Sequence, residues 1–123
     1  MGYRSDGKIV FYALDPKDHA AIKLWVDEHF PKTDFDYEER EVNKRKIMAF
    51  SFEGWKWYDT YPEIIAIENA IKAFCELFDH EDTVVRAAME RVRIGEEYED
   101  IEIVRSNYSD CILTVNRSVE FFD

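Results

Sequence analysis

The sequence predicts an α+β domain in which two helices pack on one face of a mostly antiparallel sheet. Apolar residues recur at three- and four-residue steps between residues 62 and 78, apolar runs typical of strands flank this segment, and a cap signal at Asp15 starts another helix. The element order β-α-β-β-α-β-β-β matches a ferredoxin-like fold with a C-terminal β-meander. A single domain is expected over residues 1–123, because a chain of this length usually forms one core.

The first strand and the first helix are predicted between residues 8 and 30. Lys8–Leu14 contains a continuous apolar run of the kind found in strands that are covered on both faces. Asp15 is a favourable N-cap and Pro16 suits the first helical position, so a helix should follow and end near Phe30. The side of this helix that faces the core is expected to carry Ala21, Leu24, Trp25 and Val26.

A hairpin and the second helix are predicted in the middle of the chain. Residues 46–53 alternate as a strand does, and residues 35–42, which alternate weakly, form either its edge-strand partner or a mobile segment. Thr60 and Glu63 have the spacing of a capping box at the start of the helix at 62–78. The buried positions of this helix are expected to be Ile64, Ile67, Ile71, Phe74 and Phe78.

The last third of the sequence is predicted to form antiparallel strands. In the strand at 88–94, Arg91 and Arg93 should face solvent and pair with Glu102 or Glu99 on the return strand. A further segment at 111–122 completes the meander. The residues of this region that are expected to face the core are Val92, Ile94, Ile101, Ile103, Leu113 and Val115.

Negative charge dominates the composition. The formal net charge is −11, and one 27-residue stretch, called here the acidic band, holds ten carboxylates. Such a field repels nucleic acid and anionic membranes and attracts basic surfaces, so neither an extended nucleic-acid strand nor a membrane is expected as a partner. The alternative is an acidic surface that only prevents self-association. The members of the acidic band are Glu76, Asp79, Glu81, Asp82, Glu90, Glu96, Glu97, Glu99, Asp100 and Glu102.

No residue pattern in the sequence indicates catalysis, a metal site or a cofactor. His19, His29 and His80 do not have metal-ligand spacing with one another or with a cysteine. The glycines are isolated, so no phosphate-binding loop is present, and the carboxylate pairs lack the apolar context of a general acid. Cys75 and Cys111 are expected to be buried thiols. The amino terminus does not have the apolar segment of a signal peptide, so we expect an intracellular protein. Because no catalytic pattern is found, a non-enzymatic protein is expected, with an enzyme as the minority alternative.

An aromatic loop precedes the second helix at residues 55–61. Trp55, Trp57 and Tyr58 could anchor a partner protein or stack on a small nucleotide. The alternative is that these rings only cover the core at the start of the helix. Both interpretations stay open at this point.

Four segments of the chain resemble a family of small accessory proteins encoded by tailed bacteriophages and prophages. These segments are MGYRSD at the start, WYDTYP from Trp57, RIGEEYEDIE from Arg93 and VNRSVE from Val115. The resemblance implies a phage origin and action in the host bacterial cytoplasm, where such proteins often inhibit a defence nuclease or a signalling system. It supplies no catalytic residues.

Three arginines in these segments, Arg4, Arg93 and Arg117, are candidates for binding an anion, because a guanidinium group can clamp a carboxylate or a phosphate. Internal ion pairs are the simpler alternative. The expected partners in those pairs are Glu96, Glu97 and Asp100.

These observations lead to one principal hypothesis. The protein inhibits a host defence protein, such as a CRISPR effector complex, by presenting an acidic, nucleic-acid-mimicking surface to a basic channel. An alternative is a sponge that sequesters a small nucleotide immune signal at the aromatic loop, and assembly into a homo-oligomer is left open. The residues expected to contact the partner are Glu96, Glu97, Glu99, Asp100, Trp55, Trp57 and Tyr58.

Overall fold

The computed structural model describes residues 4–31, 35–58, 60–79, 85–97, 100–109 and 111–113, together with the backbone of 114–115 and 119–121. The strands are β1 (Ser5–Ala13), β2 (Asp36–Val42), β3 (Arg45–Trp55), β4 (Ala87–Gly95), β5 (Ile101–Arg105), β6 (Leu113–Val115) and β7 (Val119–Phe121). The helices are α1 (His19–His29), which follows a 3-10 turn at Pro16–Asp18, and α2 (Pro62–Phe78).

The main sheet has the strand order β2-β3-β1-β4-β5, and every neighbouring pair is antiparallel. Both helices pack on one side of it, called here the helix face, so the predicted α+β class is confirmed. The first six elements follow the βαββαβ order of a ferredoxin-like unit. The C-terminal extension divides into β5, which joins the main sheet, and a β6–β7 hairpin, which packs on the opposite side, called here the hairpin face.

The sheet is covered on both faces, which explains the continuous apolar run in β1. Ile9 and Phe11 point to the helix face and join the cluster formed with α1 and α2. Val10 and Tyr12 point to the hairpin face and join a second cluster that contains Leu113. Because β1 is buried on both sides and has a strand on each flank, it is the centre of the fold.

Of the two alternatives for residues 35–42, the structure shows the edge strand, which forms a hairpin with the next strand. β2 and β3 pair in a register that sets Val42 opposite Arg45. The two residues between them, Asn43 and Lys44, have φ values of 53° and 66°, as the tight turns of two-residue hairpin loops require.

Asp15 caps the chain where predicted, but it caps the 3-10 turn, and the N-cap residue of α1 itself is Asp18. The capping box predicted for the second helix is wrong. Asp15 accepts a hydrogen bond from the Lys17 N–H (3.1 Å) at the 3-10 turn. α2 has its predicted bounds, but Tyr61 is the N-cap residue and no side chain caps it. The capping box at Thr60 does not form, because the chain enters the helix one residue later than that box requires.

The predicted buried side of the first helix is partly wrong. Ile22 and Val26, one turn apart, face the sheet. Trp25 is half-buried, but Ala21 is exposed and Leu24 is 59% exposed. Neither helix of the described chain is long and apolar enough to cross a membrane.

The prediction for β4 is confirmed for Val92 and Ile94, which are buried, and is wrong for Arg91, which was expected to face solvent. Arg91 points to the helix face and is only 5% exposed, whereas Val92 belongs to the hairpin-face cluster. On β5, Ile101 and Ile103 were expected in the core but are 39% and 44% exposed. The predicted alternation is correct. The error came from assuming a single buried face, because the hairpin face also buries apolar residues.

Candidate functional site

The acidic band does not form one continuous exposed surface. Glu81, Asp82 and Glu99 lie outside the described residues. The other members are buried at Asp79 and Glu90, half-buried at Asp100 and Glu102, and exposed at Glu76, Glu96 and Glu97.

Glu90 is fully buried on the hairpin face and belongs to the interior of the fold. Its carboxylate accepts hydrogen bonds from the Tyr12 hydroxyl (2.9 Å) and from the N–H groups of Ile112 (2.9 Å) and Leu113 (3.1 Å). Arg105 Nε lies 3.5 Å from the same carboxylate. A buried carboxylate is tolerated only when it is paired and hydrogen-bonded, and these four groups meet that condition. Glu90 therefore holds the start of β6 against the sheet.

Asp79 also joins two parts of the chain. It follows the last residue of α2, and its carboxylate accepts hydrogen bonds from the N–H groups of Asn107 (2.8 Å) and Tyr108 (3.1 Å). These contacts fix the turn after β5 to the end of α2. Asp79 is accordingly a structural residue.

Arg91 and Arg93 form an ion-pair cluster with acids of α2, β5 and the preceding turn. Arg91 pairs with Glu68 and with Glu102, for which the Nη2–Oε1 distance is 2.7 Å. Arg93 pairs with Asp100 (3.2 Å) and with Glu102 (3.6 Å), so the predicted pairing with Glu102 is confirmed. Three carboxylates surround two guanidinium groups. This geometry supports the ion-pair alternative for Arg93 over anion binding.

The turn between β4 and β5 carries the exposed part of the acidic band. Glu96 and Glu97 are both exposed there, and Glu96 Oε1 accepts a hydrogen bond from the Arg4 N–H (3.0 Å). The Arg4 guanidinium donates to the Gly54 carbonyl (2.7 Å), so Arg4 links this turn to the end of β3. Arg117 lies outside the described residues.

A second acidic surface, which the sequence analysis missed, lies on the edge strand β2. Its residues Asp36–Glu41 are all exposed, and four of the six are carboxylates. Lys23 Nζ lies 3.0 Å from Glu39, and its hydrogen bond lowers the pKa of that carboxyl. The signal for this surface is local, because four of the seven residues in the β2 sequence DYEEREV are acidic. The carboxylates here that have no ion pair or hydrogen bond with another described residue are Asp36, Glu38 and Glu41.

The rings of the aromatic loop cover the core on the helix face. Trp55 packs on Phe35 with ring centroids 4.7 Å apart, and Trp57 stacks on Phe52 at 4.9 Å. Tyr58, like both tryptophans, is half-buried. The interpretation as a cover for the core is therefore supported, and only part of each ring is open to a partner.

A cleft of about 450 Å³ lies beside these rings. Its volume is within the range of about 300–1,000 Å³ that is usual for small-molecule sites. Two charged residues, Lys56 and Glu63, line it, and the side chain of neither forms an ion pair or hydrogen bond with another described residue. The walls are otherwise largely apolar, with Phe35, Trp55, Tyr61, Ile64 and Ile67.

Both cysteines are free thiols, but the prediction that both are buried is wrong. Cys75 is half-buried on α2, and burial raises its pKa to about 11, with smaller contributions from Asp79 and Glu76. Cys111 is exposed, because the next two residues, Ile112 and Leu113, take the buried positions. In the described part of the chain, no group of three or more His, Cys, Asp or Glu residues could hold a metal ion.

Comparisons of the chain with models of protein families, with curated proteins and with solved structures found no match. The described residues define an acidic α+β protein that exposes carboxylates at the β4–β5 turn and on the edge strand β2, and also at other positions such as Asp27, Glu28 and Glu53.

Proposed function

We propose that this protein is a non-enzymatic, phage-encoded inhibitor that binds a basic surface of a host defence protein, such as a CRISPR effector complex, in the host cytoplasm. The observation that carries the proposal is the exposure of carboxylates on the β4–β5 turn and along β2. Carboxylates on an exposed surface steer a positively charged partner toward it and favour a complementary orientation.

The contact at the β4–β5 turn would consist of Glu96, Glu97 and Glu99. The first two are exposed, and Glu99 is included from the sequence. Asp100, which was expected to contact the partner directly, is bound by Arg93 and helps to hold the turn in place. Its role in this proposal is therefore to position the neighbouring acids.

The second contact would be the β2 edge. Alternate residues on a strand are about 6.6–6.8 Å apart and point to the same side, so Asp36 and Glu38 present two neighbouring negative charges on one side of β2. Arg40 is the next residue on that side, and Glu39 and Glu41 lie on the other. Charged edge strands also prevent unwanted strand pairing, which is the simpler reason for this composition. Charge-reversal variants separate the two explanations, because a lysine at the same position protects the edge equally well.

Apolar contacts are a smaller part of the proposal. Trp55, Trp57 and Tyr58 are half-buried, so only their exposed edges would reach a partner. The nucleotide sponge stays an alternative. In the described structure Arg93 is engaged by Asp100 and Glu102, and Lys56 is the only cationic residue among those that line the cleft.

The experiment is capture of the partner from a host lysate by tagged protein, with three double variants of equal net charge. E96K/E97K tests the turn, D36K/E38K tests the β2 edge, and E28K/E53K is the matched control at exposed positions elsewhere. Each variant changes the formal net charge by four units, from −11 to −7. We expect loss of the partner with the turn or edge variant and retention with the control. Equal capture by all three variants contradicts the proposal.

A further inference from the structure

We infer that the cleft beside Trp55 binds a small zwitterionic aromatic molecule of the chemical class of the aromatic amino acids. The inference goes beyond the proposed function, because this site uses neither acidic surface and needs no partner protein. It rests on the volume of the cleft, on its aromatic lining and on two charged side chains there, neither of which pairs with another described residue.

The aromatic wall of the cleft is formed before a ligand arrives. The Trp55 ring is held between Phe35, at a centroid distance of 4.7 Å, and Phe52, at 5.4 Å. Tyr61 at the start of α2 is held edge-on by Tyr58 at 5.1 Å. Because these rings are already held in place, little conformational entropy is lost when a flat ring binds against them.

Lys56 and Glu63 give the cleft one positive and one negative group. Glu63 lies in the first turn of α2, where the helix dipole favours an acid, but Lys56 has no comparable structural role. Neither side chain is neutralised by another described residue. A ligand that carries both an ammonium and a carboxylate group would pair with both, the carboxylate with Lys56 and the ammonium with Glu63.

Other ligand classes fit this lining less well. A nucleotide phosphate would pair with Lys56 but would be repelled by Glu63, and a neutral apolar compound would leave both charges unused. A neighbouring cavity of about 390 Å³ contains Arg91, Glu68 and Glu102, but these groups already pair with one another. The cleft beside Trp55 is therefore the better site for a ligand with both charges.

The test is calorimetric titration with L-phenylalanine and L-tryptophan, compared with analogues that lack one charge. We expect one site per chain for at least one of the two amino acids. Phenethylamine, which lacks the carboxylate, and 3-phenylpropionate, which lacks the ammonium, should each bind about 5- to 20-fold more weakly than L-phenylalanine, because each loses one charge-assisted hydrogen bond at a partly exposed site.

Two variants connect each charge to one residue. Lys56→Met should weaken L-phenylalanine binding but should not weaken phenethylamine binding, because it removes a like charge. Glu63→Gln should weaken L-phenylalanine binding but should not weaken 3-phenylpropionate binding, for the same reason. Lys46→Met, at the exposed opposite end of β3, is the matched control. Thermal unfolding confirms that each variant is folded. Absence of amino-acid binding, tighter binding of AMP than of either amino acid, or wild-type affinity in both cleft variants overturns the inference.

Discussion

The carboxylate of Glu90 lies 2.9 Å from the hydroxyl of Tyr12, and both residues are fully buried between the main sheet and the segment that leads into β6. The same carboxylate accepts hydrogen bonds from two backbone N–H groups of that segment, at Ile112 and Leu113. One buried charge thus fastens the C-terminal segment to the central strands. The second face of the sheet is closed in this way without a helix.

Glu90→Gln should lower the free energy of unfolding by about 2–4 kcal/mol. Glutamine has nearly the same size, but it loses the charge and places an NH₂ group near backbone donors. Tyr12→Phe, which removes one hydrogen bond, should cost only about 1 kcal/mol. Urea denaturation measures both, with the exposed change Glu38→Gln as the control. A Glu90→Gln protein as stable as that control would show that these hydrogen bonds contribute little.

Arg91→Lys should destabilise the protein by about 1–3 kcal/mol, although it keeps the charge. The guanidinium of Arg91 reaches Glu68 and Glu102 at once and lies 5.6 Å from the centroid of the Trp57 ring. An ammonium group cannot keep this planar geometry. Chemical denaturation gives the stability, and tryptophan emission reports the change around Trp57. The exposed substitution Arg40→Lys should change neither quantity, and equal behaviour of the two variants would contradict the assignment.

The sequence predicted the element types and order as far as β5, because these depend on local signals. The segment at 111–122, which was predicted as one strand of the meander, instead contains β6 and β7 of a separate two-stranded sheet. The period of α2 and the turn at Asn43–Lys44 are each contained within a few residues. The orientation of β4 was not predictable in this way, because alternation shows two faces without showing which of them is covered. The cover of the hairpin face includes Leu113, which lies far from β1 in the sequence.

For the candidate site too, local sequence did not show which acids of the acidic band are exposed. Counting charges along the chain placed Glu90 and Glu96 in one surface, although Glu90 is buried. Tyr12, which donates a hydrogen bond to the buried Glu90, is 78 residues away from it in the sequence. Whether a charged residue is exposed therefore depends on contacts with residues that are distant in the sequence. The acids of β2, in contrast, can be recognised from the local composition alone.

The inward side of α1 can be tested with two leucine-sized residues. Ile22→Ala should cost about 2–4 kcal/mol, because it leaves a cavity against the sheet. Leu24→Ala should change the free energy of unfolding by no more than about 0.5 kcal/mol, because Leu24 is exposed. Denaturation curves of the two variants give the comparison directly. The reverse order of stabilities would mean that α1 is rotated relative to the described structure.

The two cysteines should differ in reactivity. Burial raises the pKa of Cys75 to about 11, and only the thiolate is nucleophilic, so Cys75 should react slowly at pH 8 while the exposed Cys111 reacts first. The rate at Cys75 should rise as the pH approaches 11. The pKa of the thiol is near 9 in the unfolded chain and about 11 in the folded protein. The free energy of unfolding should therefore be highest below pH 9 and should fall as the pH rises from 9 to about 11. Labelling with iodoacetamide in Cys111→Ser isolates the rate at Cys75. Rapid labelling of Cys75 at pH 8 would contradict this prediction.

The most direct test of the proposed function is the salt dependence of the affinity for the captured host protein. The dissociation constant should rise steeply between about 0.05 and 0.5 M salt for the wild-type protein, because exposed charges are screened over this range. The dissociation constant should vary less steeply with salt concentration for a double variant that reduces capture, either E96K/E97K or D36K/E38K. For E28K/E53K it should vary as steeply as for the wild-type protein. A dissociation constant that does not vary with salt, or identical slopes for all the variants, would contradict binding through the acidic surfaces.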